Sequence, residues 1–294
     1  MNIRTDFNFM KWRNPAMLLS LALCLVSVAL ITFRGLNLGI DFTGGNVVQV
    51  EFVNRPDVAE VRDVVSTVVA KEAMIQDFGE NGTIIRTNED TDESRQQLLS
   101  VLRARYPEVK VLGFEQVGPV VGKELRNQTV IGLIAALVGI LIYITVRFQF
   151  RFAVVSVIPL IHDALLTLGF FSLTWMEVSS SFIAAVLTIV GYSINNTIII
   201  LDRLRENWKD LGKAGIADLV NLSVNQTLSR TINTTLTTIF PIIALCVRGG
   251  PVLATFSYAI LIGVVVGTYS SIMVATGLVV EWWLRWPEDV KKRS

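Results

Sequence analysis

Residues 152–175 read FAVVSVIPLIHDALLTLGFFSLTW, and residues 180–201 read SSFIAAVLTIVGYSINNTIIIL. Each is long and apolar enough to cross a bilayer as a helix, which takes about 20 residues. Yet the first places His162 beside Asp163, and the second Asn195 beside Asn196. An ionised side chain at the bilayer centre costs about 2.5–3.5 kcal/mol on insertion scales. Such groups persist where they face a bundle interior, pair with one another, or line a path for ions. The chain therefore reads as a membrane machine that moves something or is driven by something, rather than as a passive anchor.

Outward from these two, four more segments qualify as spans: Pro15–Phe33, Thr129–Val146, Thr231–Val247 and Val252–Trp283. Composition agrees, with 52% hydrophobic and 17% charged residues in 294, where a soluble domain carries about 25% charged. Cys24 and Cys246 both fall inside apolar spans, so they read as small buried hydrophobes rather than a disulfide framework. A single histidine excludes histidine-rich metal chemistry, and no phosphate loop or nucleophile elbow is present. Neither a cofactor nor enzymatic activity is expected. The first span exceeds the about 7–15 residue core of a signal peptide, and Phe33-Arg34-Gly35 is a poor cleavage site. It reads as an uncleaved membrane helix.

Orientation follows from lysine and arginine in the short loops. Arg4, Lys11 and Arg13 precede the first span, and Arg147 and Arg151 separate the second and third. Arg203, Arg205, Lys209 and Lys213 follow the fourth, and Arg285, Lys291, Lys292 and Arg293 end the chain. Both the 1–14 segment and the 285–294 tail are thus expected in the cytoplasm. Residues 34–127 then form an exported domain ahead of a five-helix bundle over 128–284. That domain holds fifteen acidic and eleven basic residues and no nucleic-acid signature.

Within it, Val47–Phe52 alternates like a half-buried strand, and Val58–Ala73 repeats valine at helical spacing after Asp57, an N-cap. Met74–Phe78 and Thr83–Thr87 read as strands joined by an Asn81-Gly82 hairpin turn. Asp92–Tyr106 is a second helix and Val109–Val117 a last strand. The order strand, helix, strand, strand, helix, strand is the ferredoxin-like α+β arrangement.

Asp163 lies about 11 residues into its span, or roughly 16 Å deep. Ser156, Pro159, Asp163 and Thr167 share a helix face with His162 on its flank. Thr188, Tyr192, Asn195 and Asn196 form a similar stripe in the fourth span. In the fifth, Thr231, Thr234, Thr235 and Thr238 line one face just past Arg230, which reads as a snorkelling anchor at the cytoplasmic end. Three polar faces in consecutive spans should converge, because lipid offers them no partner. Hydrogen-bonded helix packing accounts for the threonines as well as a functional role does, and Gly263 and Gly267 form a packing pair. Residues 203–228 read as an amphipathic helix on the cytoplasmic surface, against lipid or a partner.

The motifs together resemble one family: SecF, the smaller subunit of the bacterial SecD–SecF protein-export complex and a relative of the RND transporters. They are Gly39-Ile40-Asp41-Phe42-Thr43-Gly44-Gly45, Gly118-Pro119-Val120-Val121-Gly122, His162-Asp163, Gly191-Tyr192-Ser193, Asp202-Arg203-Leu204-Arg205-Glu206-Asn207, Ser229-Arg230-Thr231 and Gly249-Gly250-Pro251. The resemblance implies a multi-pass subunit of the bacterial inner membrane that pairs with SecD. It further implies work beside the Sec channel (SecY, SecE and SecG) and YajC on exported, unfolded polypeptide, driven by protons or sodium ions. Asp41, Gly44 and Gly45 would be a domain hinge, and Arg230 with a carboxylate in the fourth span part of a proton relay. The family usually has Asp at the position of Asn196, and an amide cannot relay a proton. Three expectations stay open: coupling through a SecD carboxylate beside Arg230 and Asn196, sodium ligation by Asn196, or a non-conducting scaffold.

Overall fold

A run of leucine, alanine and valine with no helix breaker beyond its first turn gives one helix, α1 (Arg13–Phe33). The computed structural model describes residues 7–69, 73–87, 89, 91–147, 150–210 and 215–286. Arg4, Lys213, Lys291, Lys292, Arg293, the end of the expected helix at 70–72 and most of the 285–294 tail lie outside the described residues. After α1 come strand β1 (Asn37–Leu38) and the short helix α2 (Ile40–Thr43).

The segment between the first two spans then forms β2 (Gly45–Glu51), α3 (Val58–Ser66), β3 (Met74–Phe78), β4 (Gly82–Thr87), α4 (Asp92–Arg105) and β5 (Lys110–Val117). The four strands make one antiparallel sheet in the order β3-β4-β2-β5. Asp57 accepts from the Ala59 amide at 3.0 Å and starts α3 as its sequence position predicts. Val61, Val65, Leu98 and Leu102 from the two helices bury one face of the sheet with Val48, Val50 and Ile85. The Asn-Gly turn differs from expectation. Gly82 is already paired with Phe78 in the sheet, and the left-handed residue is Gly79, at φ 59°.

Six helices are long and apolar enough to span a membrane. They are α1, α5 (Pro119–Arg147), α6 (Phe150–Thr174), α7 (Ser180–Asn207), α8 (Ile216–Arg248) and a final composite helix. That last span runs through α9 (Gly250–Tyr269), a π-helical stretch at Ser270–Ala275, and α10 (Thr276–Arg285). Half or more of the most apolar window is buried in α6, α7 and the last span, against 6% in α5 and 11% in α8. The first three are therefore the centre of the bundle, and α5 and α8 keep bare sides.

Two expectations are corrected here. No separate surface helix spans 203–228: α7 carries on to Asn207, and α8 runs unbroken from Ile216 to Arg248. The apolar periodicity of that stretch is core, because Ile216, Leu219, Val220 and Val224 pack against Val155, Leu201, Leu204, Val279 and Val280. Arg230 accordingly stands near the middle of a helix, not at an end. A further strand, β6 (Glu177–Val178), pairs in parallel with β1 and joins the exit of α1 to the turn between α6 and α7.

Candidate functional site

Asp163 is almost sealed, at 1% exposure, and its carboxylate collects donors from three directions. Oδ1 lies 2.9 Å from Nδ1 of His162. Oδ2 accepts from Ser193 of α7 at 2.6 Å and from Ser270 of the last span at 2.8 Å. Thr197 donates to Ser271 at 3.0 Å one turn along. An extra residue in the turn, the signature of a π segment, suits the inward facing of both adjacent serines. Gly267 makes the approach possible, since a Cβ there would sit 3.3 Å from Asp163 Oδ2 and 3.1 Å from Ser193. Ser193, Gly267 and Ser270 were not singled out as site residues from sequence. The signal available was the Ser270-Ser271 doublet in an otherwise apolar run.

The polar residues of the fifth span form a second, separate group. Thr235 shares a hydrogen bond with Thr268 at 2.9 Å and accepts one from Tyr192 at 3.2 Å. Because α7 and α8 run antiparallel, one turn toward the loop joining them brings Asn196 opposite Thr231. Both are buried, and Nδ2 and Oδ1 of Asn196 and Oγ1 of Thr231 have no hydrogen-bond partner among the described residues. Thr234 turns back to the Arg230 carbonyl at 2.8 Å. Arg230 and Asn195 themselves are exposed, as is Asn233. The single seam expected over spans three, four and five is thus divided. Asp163 and His162 belong with the fourth and sixth spans, while Arg230 stands on the outer side of α8 with no salt bridge to a described residue. No group of three or more His, Cys, Asp or Glu among the described residues could hold a metal.

At the far end of α7, the glycine motif builds a joint to the four-stranded sheet. Asp41 caps the helix, accepting from the Ser180 amide at 2.7 Å and from its hydroxyl. Gly44 and Gly45 take φ of 74° and 127°, the left-handed region that glycine tolerates. Gly122 of α5 lies against them so closely that a Cβ would come 3.1 Å from the Gly44 nitrogen. Asn37 donates to the Trp175 carbonyl at 3.0 Å, and Ser172 to that of Gly35 at 2.7 Å. Arg86, on β4, forms an ion pair with Glu177 and donates to Gln76 at 2.7 Å. A cavity of about 170 Å³ lies there, lined by Asp41, Arg86, Glu115, Glu177, Ser180 and Thr255 among others. Burial pushes the Glu177 carboxyl above its ordinary 4.5, Arg86 pulls it down, and Asp41 and Glu115 push it up again.

Comparison with known proteins places these features in one family. The family described as "Protein export membrane protein SecD/SecF, C-terminal" matches residues 97–285, and the SecD/SecF GG motif matches residues 29–54. The protein translocase subunit SecF of Desulfurispirillum indicum is 41% identical, covering 97% of this chain and 94% of its own. That of Calditerrivibrio nitroreducens is 40% identical over 89% of each chain. The crystal structure of SecDF from Thermus thermophilus, a translocon-associated membrane protein, superposes with a TM-score of 0.89 at 40% identity. It covers 95% of this chain, which spans 39% of that longer one. SecDF in a super-membrane-facing form gives a TM-score of 0.75 at 38% identity, covering all of this chain and 41% of its own. The chain belongs to the SecF family of protein export membrane proteins.

Proposed function

We propose that this chain assists Sec-dependent protein translocation as the SecF subunit of a complex with SecD in the bacterial inner membrane, without covalent catalysis. The observation that carries the partnership is the outer face of α8 and α7. Arg230, Asn233 and Asn195 are exposed there on helices long and apolar enough to cross a membrane, where lipid could not satisfy them. A second membrane subunit with a carboxylate opposite Arg230 would supply what the described residues do not, and the match to part of a longer SecDF chain supports SecD. The external β-α-β-β-α-β unit, with its outer pairs split across a four-stranded antiparallel sheet, supports the ferredoxin-like reading of that domain. We place it outside the membrane with both termini in the cytoplasm, where it meets exported, unfolded polypeptide leaving the SecY–SecE–SecG channel near YajC.

In this reading the driving ion, protons or sodium, titrates or binds a partner carboxylate beside exposed Arg230, while Asn196 and Thr231, sealed within this chain, become its hydrogen-bonding neighbours when α7 and α8 part. One charge falling through 100 mV supplies about 2.3 kcal/mol, enough to bias a two-state swing of the external domain more than tenfold. Replacement of Arg230 by alanine should leave co-purification with SecD measurable. Precursor release from energised vesicles should slow at least about tenfold, the equivalent of one lost charge movement. Release that keeps its full dependence on membrane potential in Arg230→Ala would remove this residue from the coupling.

A further inference from the structure

Arg86 faces two carboxylates that belong to different parts of the fold. Glu177, in the turn between α6 and α7, holds it in an ion pair only 11% and 19% exposed on its two sides. Glu115 stands on the sheet itself. Val47 of β2 is paired with Arg86 on β4 and with Glu115 on β5, so the three side chains form one row on one face. Strands lie about 4.8 Å apart, which sets the Arg86 and Glu115 backbones roughly 10 Å from each other with one valine between. Two long side chains can bridge that gap. Both residues, with Glu177, line the cavity of about 170 Å³ between sheet and bundle. The guanidinium is not saturated: it donates to Gln76 at 2.7 Å and to Glu177, but its buried Nε has no partner among the described residues. Glu115 is exposed and forms no ion pair with a described residue, whereas Asp41, the third acid there, is committed to capping α7. The chain beside the sheet can turn. β1 and α2 are fixed to the bundle by the β1–β6 pairing and by Asn37 and Asp41, while Gly44 and Gly45, at φ 74° and 127°, join them to β2.

We infer that Arg86 is a two-position switch: it pairs with Glu177 while the sheet is seated on the turn between α6 and α7, and with Glu115 when the sheet lifts away about Gly44 and Gly45. A largely buried guanidinium that lost Glu177 with nothing in exchange would be left as an uncompensated charge, and the sheet would be fixed to its seat. Glu115 removes that cost, because it travels with Arg86 on the same sheet. Gln76, on β3, travels too, so one hydrogen bond is common to both positions. Two alternative pairings of one cation give two discrete orientations of the sheet rather than a continuum, and a modest pull on the sheet or on α7 selects between them. The inference deepens the swing proposed above, and rests on that reading only for what the switch is used for.

The test uses the complex with SecD in proteoliposomes, with Cys24 and Cys246 replaced by alanine. Spin labels go on Ser100 of α4 and Thr174 at the end of α6, both exposed. Pulsed dipolar spectroscopy then reads the ratio of seated to unseated distances. Glu177→Gln should lower that ratio about tenfold, between the effect of losing an exposed pair and that of losing a buried one. Adding Glu115→Gln should bring it back to within about threefold of the parent, because the unseated form has then lost its pair as well. In an Arg86→Met background, Glu115→Gln should change nothing. A Glu177→Gln complex that stays seated overturns the switch, and so does one whose unseated population survives Glu115→Gln. An effect of Glu115→Gln that persists without Arg86 overturns it too, since carboxylate repulsion alone would then account for it. Precursor release, measured in parallel, reads a different property. Normal release beside an invariant ratio sinks the switch alone, whereas the expected ratios beside release that ignores them sink its use in translocation.

Discussion

At Asn196 both ends of a side-chain amide are buried with no partner among the described residues, and Thr231 across the α7–α8 contact is in the same state. An orphaned buried polar group costs about 1–3 kcal/mol, whereas an apolar group of similar shape costs little. Asn196→Leu should therefore stabilise the isolated chain by about 1–3 kcal/mol, read as a higher unfolding midpoint in detergent. A lower midpoint would mean that the amide is already satisfied. Asp163 is the opposite case, with its carboxylate enclosed by His162, Ser193 and Ser270. Both residues were legible in the sequence, because an acid or an amide stands out in an apolar run. Their serine neighbours were not. A serine bonded to its own helix is unremarkable in a span, and Ser270 lies 107 positions from Asp163.

Among elements, α8 shows where periodicity misleads. Ile216, Leu219, Val220 and Val224 recur at helical spacing beside asparagine and serine, which is equally the pattern of a surface helix and of a bundle helix with one wet face. Packing against α7 and α10 decides for the second. The number of spans was read correctly because long apolar runs leave few alternatives, although the fifth helix begins at Ile216 rather than Thr231. By contrast, the pairing of β1 with β6 rests on two residues in each strand and has no sequence signature. At the same joint, Asp41→Ala removes the cap from the first turn of α7, a loss of about 1 kcal/mol. Amide exchange at Ser180 should accelerate about fivefold for that cost. Unchanged protection at Ser180 would show that the β1–β6 pairing holds the helix end without the cap.

For the molecule as a whole, the arrangement of basic loops predicts which face each part meets. A cysteine introduced at Ser100 on the exposed side of α4 should react with a membrane-impermeant maleimide added outside intact cells, and one at Arg205 only after permeabilisation. Labelling of Arg205 and not Ser100 would invert the topology. The βαββαβ order of residues 45–117 was readable because turn residues and caps punctuate it. Its seat on the bundle was not, since Arg86 and Glu177 lie 91 positions apart and neither is unusual in its own segment. That separation also sets an order of events during biosynthesis. Asn37 emerges from the ribosome 138 residues ahead of Trp175, whose carbonyl it binds. At about 5–20 residues per second the wait is roughly 7–28 s. The sheet of residues 45–117 is free to form in that interval, but its seat is available only once α6 and α7 are both in place.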